Sequence, residues 1–137
     1  CGQWVHHSGW WPDHVIRLFR RGTARFSDDR VHERLLTDET IGTLSEPLLH
    51  YTYDTLEQVL AKVNRYSSDG AAMRQQRGKR ASITQALLHG LWAFLRTYLL
   101  RRGFLDGRAG FLIALMNAEA SFYRYAKLYY LNARDHQ

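Results

Sequence analysis

The stretch from Gly9 to Leu35 holds side chains whose types and spacing could do chemistry. Trp10 and Trp11 are adjacent, and Pro12 and Asp13 follow them directly. Proline fixes its own φ and biases the residue before it toward extended backbone, so we expect a rigid turn here and not a helix. Two indole rings with a carboxylate at their edge suit a sugar, because apolar sugar faces stack on aromatic rings.

Asp13 has two interpretations. As a general base, it would take the proton of a hydroxyl group as that hydroxyl attacks a reactive carbon. Desolvation beside the indole rings would raise its basicity. The structural alternative is an aspartate that hydrogen-bonds the backbone of the turn after Pro12. Both interpretations are open at this point.

Three arginines, Arg17, Arg20 and Arg21, follow on a segment of β-branched and aromatic residues. Guanidinium groups match phosphate oxygens in two-pronged hydrogen bonds, so Arg17 and Arg20 are candidate phosphate ligands. Arg17 would point toward the site while its neighbours Leu18 and Phe19 fill the core. The alternative is a set of ordinary surface arginines.

His32 and Glu33 form the second candidate group. A neutral imidazole is a good ligand for a divalent metal ion, and Glu33 could act as a base or hold the imidazole in place. A structural His–Glu pair is the alternative. A zinc cluster is not expected, because the spacing of the histidines that could join His32 matches no zinc signature: His6, His7, His14 and His50.

Composition bounds the class of protein. With 137 residues, 45% hydrophobic and 23% charged, the chain fits one globular domain. Residues 1–50 have net charge −1 and residues 51–137 have net charge +7, so the second part suits an anionic partner such as a phospholipid surface, a phosphorylated glycolipid or nucleic acid. Nucleic acid is disfavoured because the strongest aromatic pair, Trp10 and Trp11, lies in the negative part.

Three short strands are expected before residue 50, at 3–7, 15–20 and 31–36, with a polar turn-rich segment at 22–30. Helices follow. The first should begin near Asp54 with Glu57 three residues later and fade near residues 66–67. The first part of the segment 68–80 could also be helical, and its last part should form a basic hinge.

A second helix should run from the capping pair Ser82 and Gln85 to about Leu100, with an apolar surface wide enough to be buried on more than one side. Asp106 is expected to cap a third helix. Gln85, His89 and Arg96 interrupt the second helix, so an interfacial membrane helix is favoured over a spanning one. A helical hairpin packed on its own protein is the alternative.

Several motifs resemble, in order, the later part of family 2 glycosyltransferases of the subgroup that adds sugars to lipopolysaccharide core. They are GWWPD at 9–13, RLFRR at 17–21, VHERL at 31–35, LHY at 49–51, KVNRYS at 62–67 and RGFLDG at 102–107. The resemblance covers nearly the whole chain. It implies an α+β chain, the C-terminal fragment of a GT-A type enzyme, with short β-strands followed by a mainly helical, amphipathic tail.

This resemblance implies an inverting transfer of a hexose or heptose from a nucleotide sugar to lipopolysaccharide core. Asp13 and Glu33 would be catalytic, Trp10 and Trp11 would bind substrate with Arg17 and Arg20, and His32 would complete the shell of Mg²⁺ or Mn²⁺. Residues 1–52 would be the acceptor-side end of the catalytic domain, and residues 53–137 a basic membrane-associating region.

The family's Asp-x-Asp motif does not occur here, since Asp28 and Asp29 are adjacent. The chain therefore looks truncated, and we expect it to be inactive alone. The implied location is peripheral, at the cytoplasmic face of the bacterial inner membrane, with no nucleic acid as partner. The alternative is a non-catalytic basic helical module that binds membrane or nucleic acid.

Overall fold

A computed structural model describes residues 4–27, 34–46, 48 and 53–134. Three helices dominate it, and one pair of three-residue strands precedes them. The elements are β1 (Ala24–Phe26), β2 (Leu35–Thr37), α1 (Leu56–Gln76), α2 (Ile83–Leu95) and α3 (Gly107–Arg134). The chain divides into two compact units, one comprising the helices and the residues up to Pro12, the other Asp13–Thr52.

Helix α1 begins one residue later than the sequence pattern predicts. The Thr55 side chain is the N-cap and accepts a hydrogen bond from the Gln58 backbone N–H. The Gln58 side chain reaches back to the Asp54 backbone N–H. Both contacts satisfy backbone donors that a helix start leaves without partners, so the capping chemistry is present but uses Thr55 and Gln58.

The expectation that α1 fades near residues 66–67 is wrong, because the helix continues to Gln76. Contacts with α3 stabilise the turns of α1 beyond residue 67. Ser67 and Ala71 are fully buried. Gly70 lets the Arg124 side chain approach so closely that a Cβ there would lie 3.0 Å from Arg124 Nε. Tertiary packing therefore outweighs the low helix propensity of Gly70.

Lys127 connects α3 to α1 through hydrogen bonds at the same level. Its ammonium group donates to the carbonyl and side-chain oxygens of Asn64 and to the hydroxyls of Ser67 and Ser68, at 2.8 to 2.9 Å. Burial lowers the pKa of Lys127. The two helices are thus fixed in register by a polar contact as well as by packing.

Helix α2 begins at the predicted capping box, which is confirmed: Ser82 and Gln85 exchange side-chain and backbone hydrogen bonds. The helix continues as a π turn (Arg96–Leu100), and a 3₁₀ turn (Gly103–Asp106) leads into α3. A Cβ at Gly110 would collide with the backbone carbonyl of Gly103, so the first turns of α3 and the 3₁₀ turn are in backbone contact.

The core of the helical unit is built from small residues, and the prediction that the large apolar residues of α2 are buried on more than one side is wrong. The residues that α2 buries are Ala86 and Gly90. A Cβ at Gly90 would lie 3.3 Å from the Ala118 carbonyl oxygen. Small residues allow this close approach, so the large side chains of α2 point outward. Those at least 36% exposed on this helix are Ile83, Leu87, Leu88, Leu91, Trp92 and Leu95.

The third helix also leaves large apolar residues exposed. Gly110, Ile113, Ala114 and Leu128 are the residues it buries. Phe111 is 45% exposed. The stripe that packs on the other helices is therefore offset from the stripe of largest hydrophobicity.

Among the described residues of the second unit there is one antiparallel strand pair, in which Ala24 pairs with Thr37 and Phe26 with Leu35. The predictions for this region were largely wrong. No strand occurs at 15–20 or at 4–7, and β1 lies in the segment predicted as a turn. A strand needs a neighbour for its backbone groups, and apolar composition alone does not supply one. The prediction for 31–36 falls partly outside the described residues, and its end overlaps β2.

The fold class is therefore α+β only in a narrow sense: the described residues are mostly helical, with two short strands. Among them, no helix combines the length and the apolar character that crossing a bilayer requires. The proposed division of roles between residues 1–52 and 53–137 stays a prediction.

Candidate functional site

The turn that carries Trp10 and Trp11 is held in place by a carboxylate almost a hundred residues away in sequence. Asp106, at the end of the 3₁₀ turn, accepts hydrogen bonds from the backbone N–H groups of His6 and His7 at 3.1 and 3.0 Å. It also accepts one from the Ser8 hydroxyl at 3.0 Å and contacts Nδ1 of His7 at 3.0 Å. Asp106 thus fixes the backbone that leads into the tryptophans, from the position directly before α3.

The environment of Asp106 favours its ionised form. Its side chain is 3% exposed. Burial by itself raises the pKa of this carboxyl, but the hydrogen bonds from His7, His6 and Ser8 outweigh it, so the pKa of Asp106 lies below its usual value. A buried carboxylate that accepts several hydrogen bonds stays charged at neutral pH and acts as an anchor.

The backbone of the same turn needs unusual conformations. Ser8 and Gly9 have φ of 62° and 81°, in the left-handed region. Ser8 is fully buried, and its N–H donates to the Arg101 carbonyl at 2.9 Å. A side chain at Gly9 would collide with the guanidinium group of Arg101. The Arg101 cation therefore lies against the backbone immediately before Trp10.

A row of aromatic and cationic side chains extends from Trp10 along the start of α1. The Trp10 ring lies 6.4 Å from the Tyr53 ring. Lys62 Nζ lies 5.0 Å from the centre of the Tyr53 ring and 5.4 Å from that of Tyr66. The hydrogen bond with Tyr53 raises the pKa of Lys62, more than burial lowers it. We call Trp10, Tyr53, Lys62 and Arg101 the aromatic–cation row.

The row has the features that a phosphorylated sugar requires. Ring faces offer stacking surface, and an ammonium and a guanidinium group offer charge to phosphate oxygens. Trp11, next to the row, is 48% exposed. The assignment of Trp10 and Trp11 to substrate binding stays a prediction.

The other predicted site residues, Asp13, Arg17 and Arg20, lie in the second unit. All three are exposed. Asp13 makes no hydrogen bond within the part of the chain that the structure describes, so it does not cap a turn there. Leu18 is 83% exposed and Phe19 is 44% exposed, so the idea that these two fill a core beside Arg17 is wrong for this chain.

His32 and Glu33 lie outside the described residues, between β1 and β2 in sequence, and their roles stay predictions. In the described ranges, no three His, Cys, Asp or Glu side chains come close enough together to hold a metal ion.

Four residues of this site were not recognised from the sequence: Asp106, Tyr53, Lys62 and Arg101. Asp106 is the one acidic residue in the stretch from 70 to 118. An isolated acid in a basic, apolar stretch was a usable signal, because such a carboxylate needs partners when it is buried. Tyr53 and Lys62 gave no such signal, since their proximity depends on the path of the chain before α1.

Comparison with known proteins shows which named proteins this chain is similar to. The chain is 35% identical over 121 residues to a protein of Rickettsia felis named "Uncharacterized glycosyltransferase", covering 82% of this chain and 43% of the relative. It is also 35% identical over 121 residues to RP128 of Rickettsia prowazekii, another protein named a glycosyltransferase, with 82% and 41% covered. The chain is thus similar to a part of proteins that are named glycosyltransferases.

A further relative has a more specific name. LpsC of Rhizobium meliloti, named a lipopolysaccharide core biosynthesis glycosyltransferase, is 29% identical over 132 residues, covering 91% of this chain and 49% of LpsC. The chain spans about half the length of these relatives or less. No family model matches the chain, and no solved structure matches it.

Proposed function

We propose that this chain is the acceptor-side, C-terminal part of an inverting, family 2, GT-A type glycosyltransferase. The enzyme would move a hexose or heptose from a nucleotide sugar to lipopolysaccharide core. The observation that carries the proposal is the similarity to proteins named glycosyltransferases over most of the chain, together with the lipopolysaccharide core biosynthesis that the name of LpsC states. The order of motifs from residue 9 to residue 107 supports the same assignment.

In the proposed reaction, an acceptor hydroxyl attacks the anomeric carbon of the donor sugar from the side opposite the nucleotide diphosphate. The bond between that carbon and the diphosphate oxygen breaks, and its electron pair leaves with the diphosphate. Asp13 takes the hydroxyl proton as the new glycosidic bond forms. Its exposure and its lack of a hydrogen-bond partner among the described residues leave its carboxylate free for this role.

Glu33 is the second candidate for the base, and Asp13 is ranked first because the Trp–Trp–Pro turn precedes it directly. Arg17 and Arg20 would offer guanidinium groups to the phosphates of the leaving group or of the acceptor. Trp10 and Trp11 would stack on sugar faces. Each assignment is a proposal about the whole enzyme.

For the whole enzyme we also propose Mg²⁺ or Mn²⁺, which would neutralise charge on the diphosphate. The described residues do not supply a set of ligands for it. His32 is the one ligand we assign from this chain, and no step above depends on the metal ion.

The proposed acceptor is a glycolipid under construction, so the proposed location is peripheral, on the cytoplasmic face of the bacterial inner membrane. Residues 51–137, with net charge +7, fit an anionic membrane surface. Nucleic acid is not a proposed partner.

Deletion of the gene that encodes this chain tests the function. Mass spectrometry of the lipopolysaccharide core should show a core shortened at one hexose or heptose, and a plasmid copy of the gene should restore it. A copy carrying Asp38→Asn, an exposed acid in the same unit as Asp13, should restore it equally. An unchanged core in the deletion strain would contradict the proposal and favour a non-catalytic module.

A further inference from the structure

Helix α2 buries small residues and exposes large apolar ones, the reverse of a typical surface helix of a water-soluble protein. Its buried residues are Ala86 and Gly90, whereas Leu88 is 60% exposed and Leu91 is 57% exposed. On a helix with 3.6 residues per turn, positions 87, 88, 91, 92 and 95 share roughly 140° of one side. That side is opposite the small residues that pack on α3, so large apolar groups occupy the outward face.

The start of α3 continues this face. Phe111 is 45% exposed and Leu112 is 47% exposed. The rings of Phe94 on α2 and of Tyr98 in the π turn both contact Phe111, at 5.8 and 5.9 Å between ring centres, and Tyr98 also contacts Phe104 at 6.3 Å. These rings bridge the seam between the helices, so the outward leucines of α2 and the first turns of α3 form one apolar surface.

We call this surface the apolar face. Its members share large apolar side chains that are at least 36% exposed: Leu87, Leu88, Leu91, Trp92, Leu95, Phe111, Leu112 and Leu115. Contiguous exposed apolar surface of this kind marks a contact with another molecule or with lipid. Small residues between helices and large apolar residues outside them are also the arrangement found where lipid surrounds the helices.

The charges around the apolar face decide between possible occupants. Between Asp69 and Asp106 the chain has no acidic residue and seven basic ones. Arg96 follows α2 directly, and Arg101 and Arg102 end the π turn; all three are exposed. An anionic surface complements this charge, whereas a second copy of the chain would bring the same positive charge to the contact.

We propose that the apolar face docks the protein onto an anionic lipid bilayer. Leu88, Leu91 and Trp92 would enter the boundary between headgroups and acyl chains, and Arg96 and Arg102 would contact lipid phosphates. The helices would lie in the plane of the membrane, in keeping with the lack of a spanning helix among the described residues. This inference rests on the proposed function in one respect, the identity of the membrane.

Vesicle binding of the purified protein, expressed from its complete gene, tests the proposal. Vesicles of equimolar phosphatidylglycerol and phosphatidylcholine should bind it, and pure phosphatidylcholine vesicles should bind it less, with the difference shrinking as salt rises. The double variant Leu88→Gln and Leu91→Gln should bind anionic vesicles about tenfold more weakly or worse. The matched control, Leu44→Gln, removes a leucine that is 72% exposed in the other unit and should bind normally.

Two measurements keep the outcome unambiguous. Circular dichroism and the melting temperature should match wild type in the double variant, because these positions are exposed. On vesicle addition the tryptophan emission should shift to shorter wavelength, and Trp92→Phe should remove most of that shift. Equal binding by the double variant and by Leu44→Gln would overturn the proposal.

A protein contact would give a different result. The wild type would then be a dimer, the double variant would be a monomer, and neither would bind vesicles. In that case the apolar face is a protein interface and the proposal fails. Failure of the proposed function is separate: sugar transfer to a delipidated core oligosaccharide would be absent in the wild type while vesicle binding persists.

Discussion

The two units of this chain are built in opposite ways. In the helical unit, backbones touch at Gly90 and Gly110, and buried polar groups such as Ser8 and Thr97 lie between the elements. In the segment from Asp13 to Thr52, no described residue is buried, and the regular structure is one pair of three-residue strands. An isolated two-stranded ribbon is marginal in water.

This contrast separates stability from chemistry. The measured free energy of unfolding of the chain should depend mainly on the helical unit, because the buried contacts are there. Asp13, Arg17 and Arg20, the residues to which catalysis and phosphate binding are assigned, lie in the segment that contributes little to stability. Substitutions in the helical unit should therefore change stability, and substitutions in the other unit should change activity.

The largest effect on stability is expected for Gly110→Ala. Alanine normally stabilises a helix interior relative to glycine by about 0.5–1 kcal/mol. Here the added methyl group collides with the Gly103 backbone, which lies on a 3₁₀ turn packed against Thr97. We expect the free energy of unfolding to fall by about 2–3 kcal/mol, measured by urea denaturation.

Gly42→Ala is the matched control in the other unit, since nothing lies within 4 Å of the position where its Cβ would be. Its free energy of unfolding should stay within about 0.5 kcal/mol of wild type. A Gly110→Ala protein as stable as wild type would show that the backbone contact between α3 and the 3₁₀ turn is absent.

A smaller loss is expected for Asp106→Ala. The variant leaves the N–H groups of His6 and His7 and the Ser8 hydroxyl without their acceptor. The loss should be about 1–2 kcal/mol, because the segment before Trp10 can detach while the helices stay folded. Hydrogen exchange should quicken at His6 and His7 and stay slow within α1 and α3. Asp69→Ala, at an exposed acid on α1, should change neither. Uniform loss of protection in the helices would contradict this local role.

Acid should produce the same detachment in the wild type. The folded pKa of Asp106 lies below its unfolded value, so its contribution to stability is complete above the unfolded pKa of about 3.9 and is lost as pH falls through the folded pKa. Fluorescence from Trp4, Trp10 and Trp11 should therefore change below about pH 4. The Asp106→Ala variant should lack this transition.

Helix starts were the part of the fold that the sequence predicted best. The Ser82–Gln85 capping box is confirmed because it depends on residues within one turn. The end of α1 was predicted wrongly because it depends on Arg124 and Lys127, which are about sixty residues away. Local rules cannot supply a contact that only the tertiary structure creates.

The prediction of the buried residues in the helical unit was wrong for a different reason. Hydrophobic periodicity assumes that the largest apolar residues face inward, and α2 reverses this at Leu88 and Leu91. The glycine and alanine spacing at Ala86 and Gly90 carried the correct information. An exposed apolar stripe and a buried one have the same period, so the sequence pattern alone could not distinguish them.

For the candidate site, the sequence predicted the tryptophan turn, and the motif order resembled glycosyltransferases, the name that the similar proteins also carry. It did not identify the anchor of that turn, because the Asp106 carboxylate and its partners are almost a hundred residues apart. The roles of Asp13, Glu33 and His32 stay predictions.

Sugar transfer to a soluble core oligosaccharide by the protein expressed from its complete gene, measured on variants of both units, tests the separation of chemistry from stability and membrane binding. Asp13→Asn should lower the turnover number by about 10²–10⁴-fold with an unchanged melting temperature. The double variant Leu88→Gln and Leu91→Gln should transfer sugar to this soluble acceptor at the wild-type rate. Full activity in Asp13→Asn, or an equal loss of activity in both variants, would contradict the account.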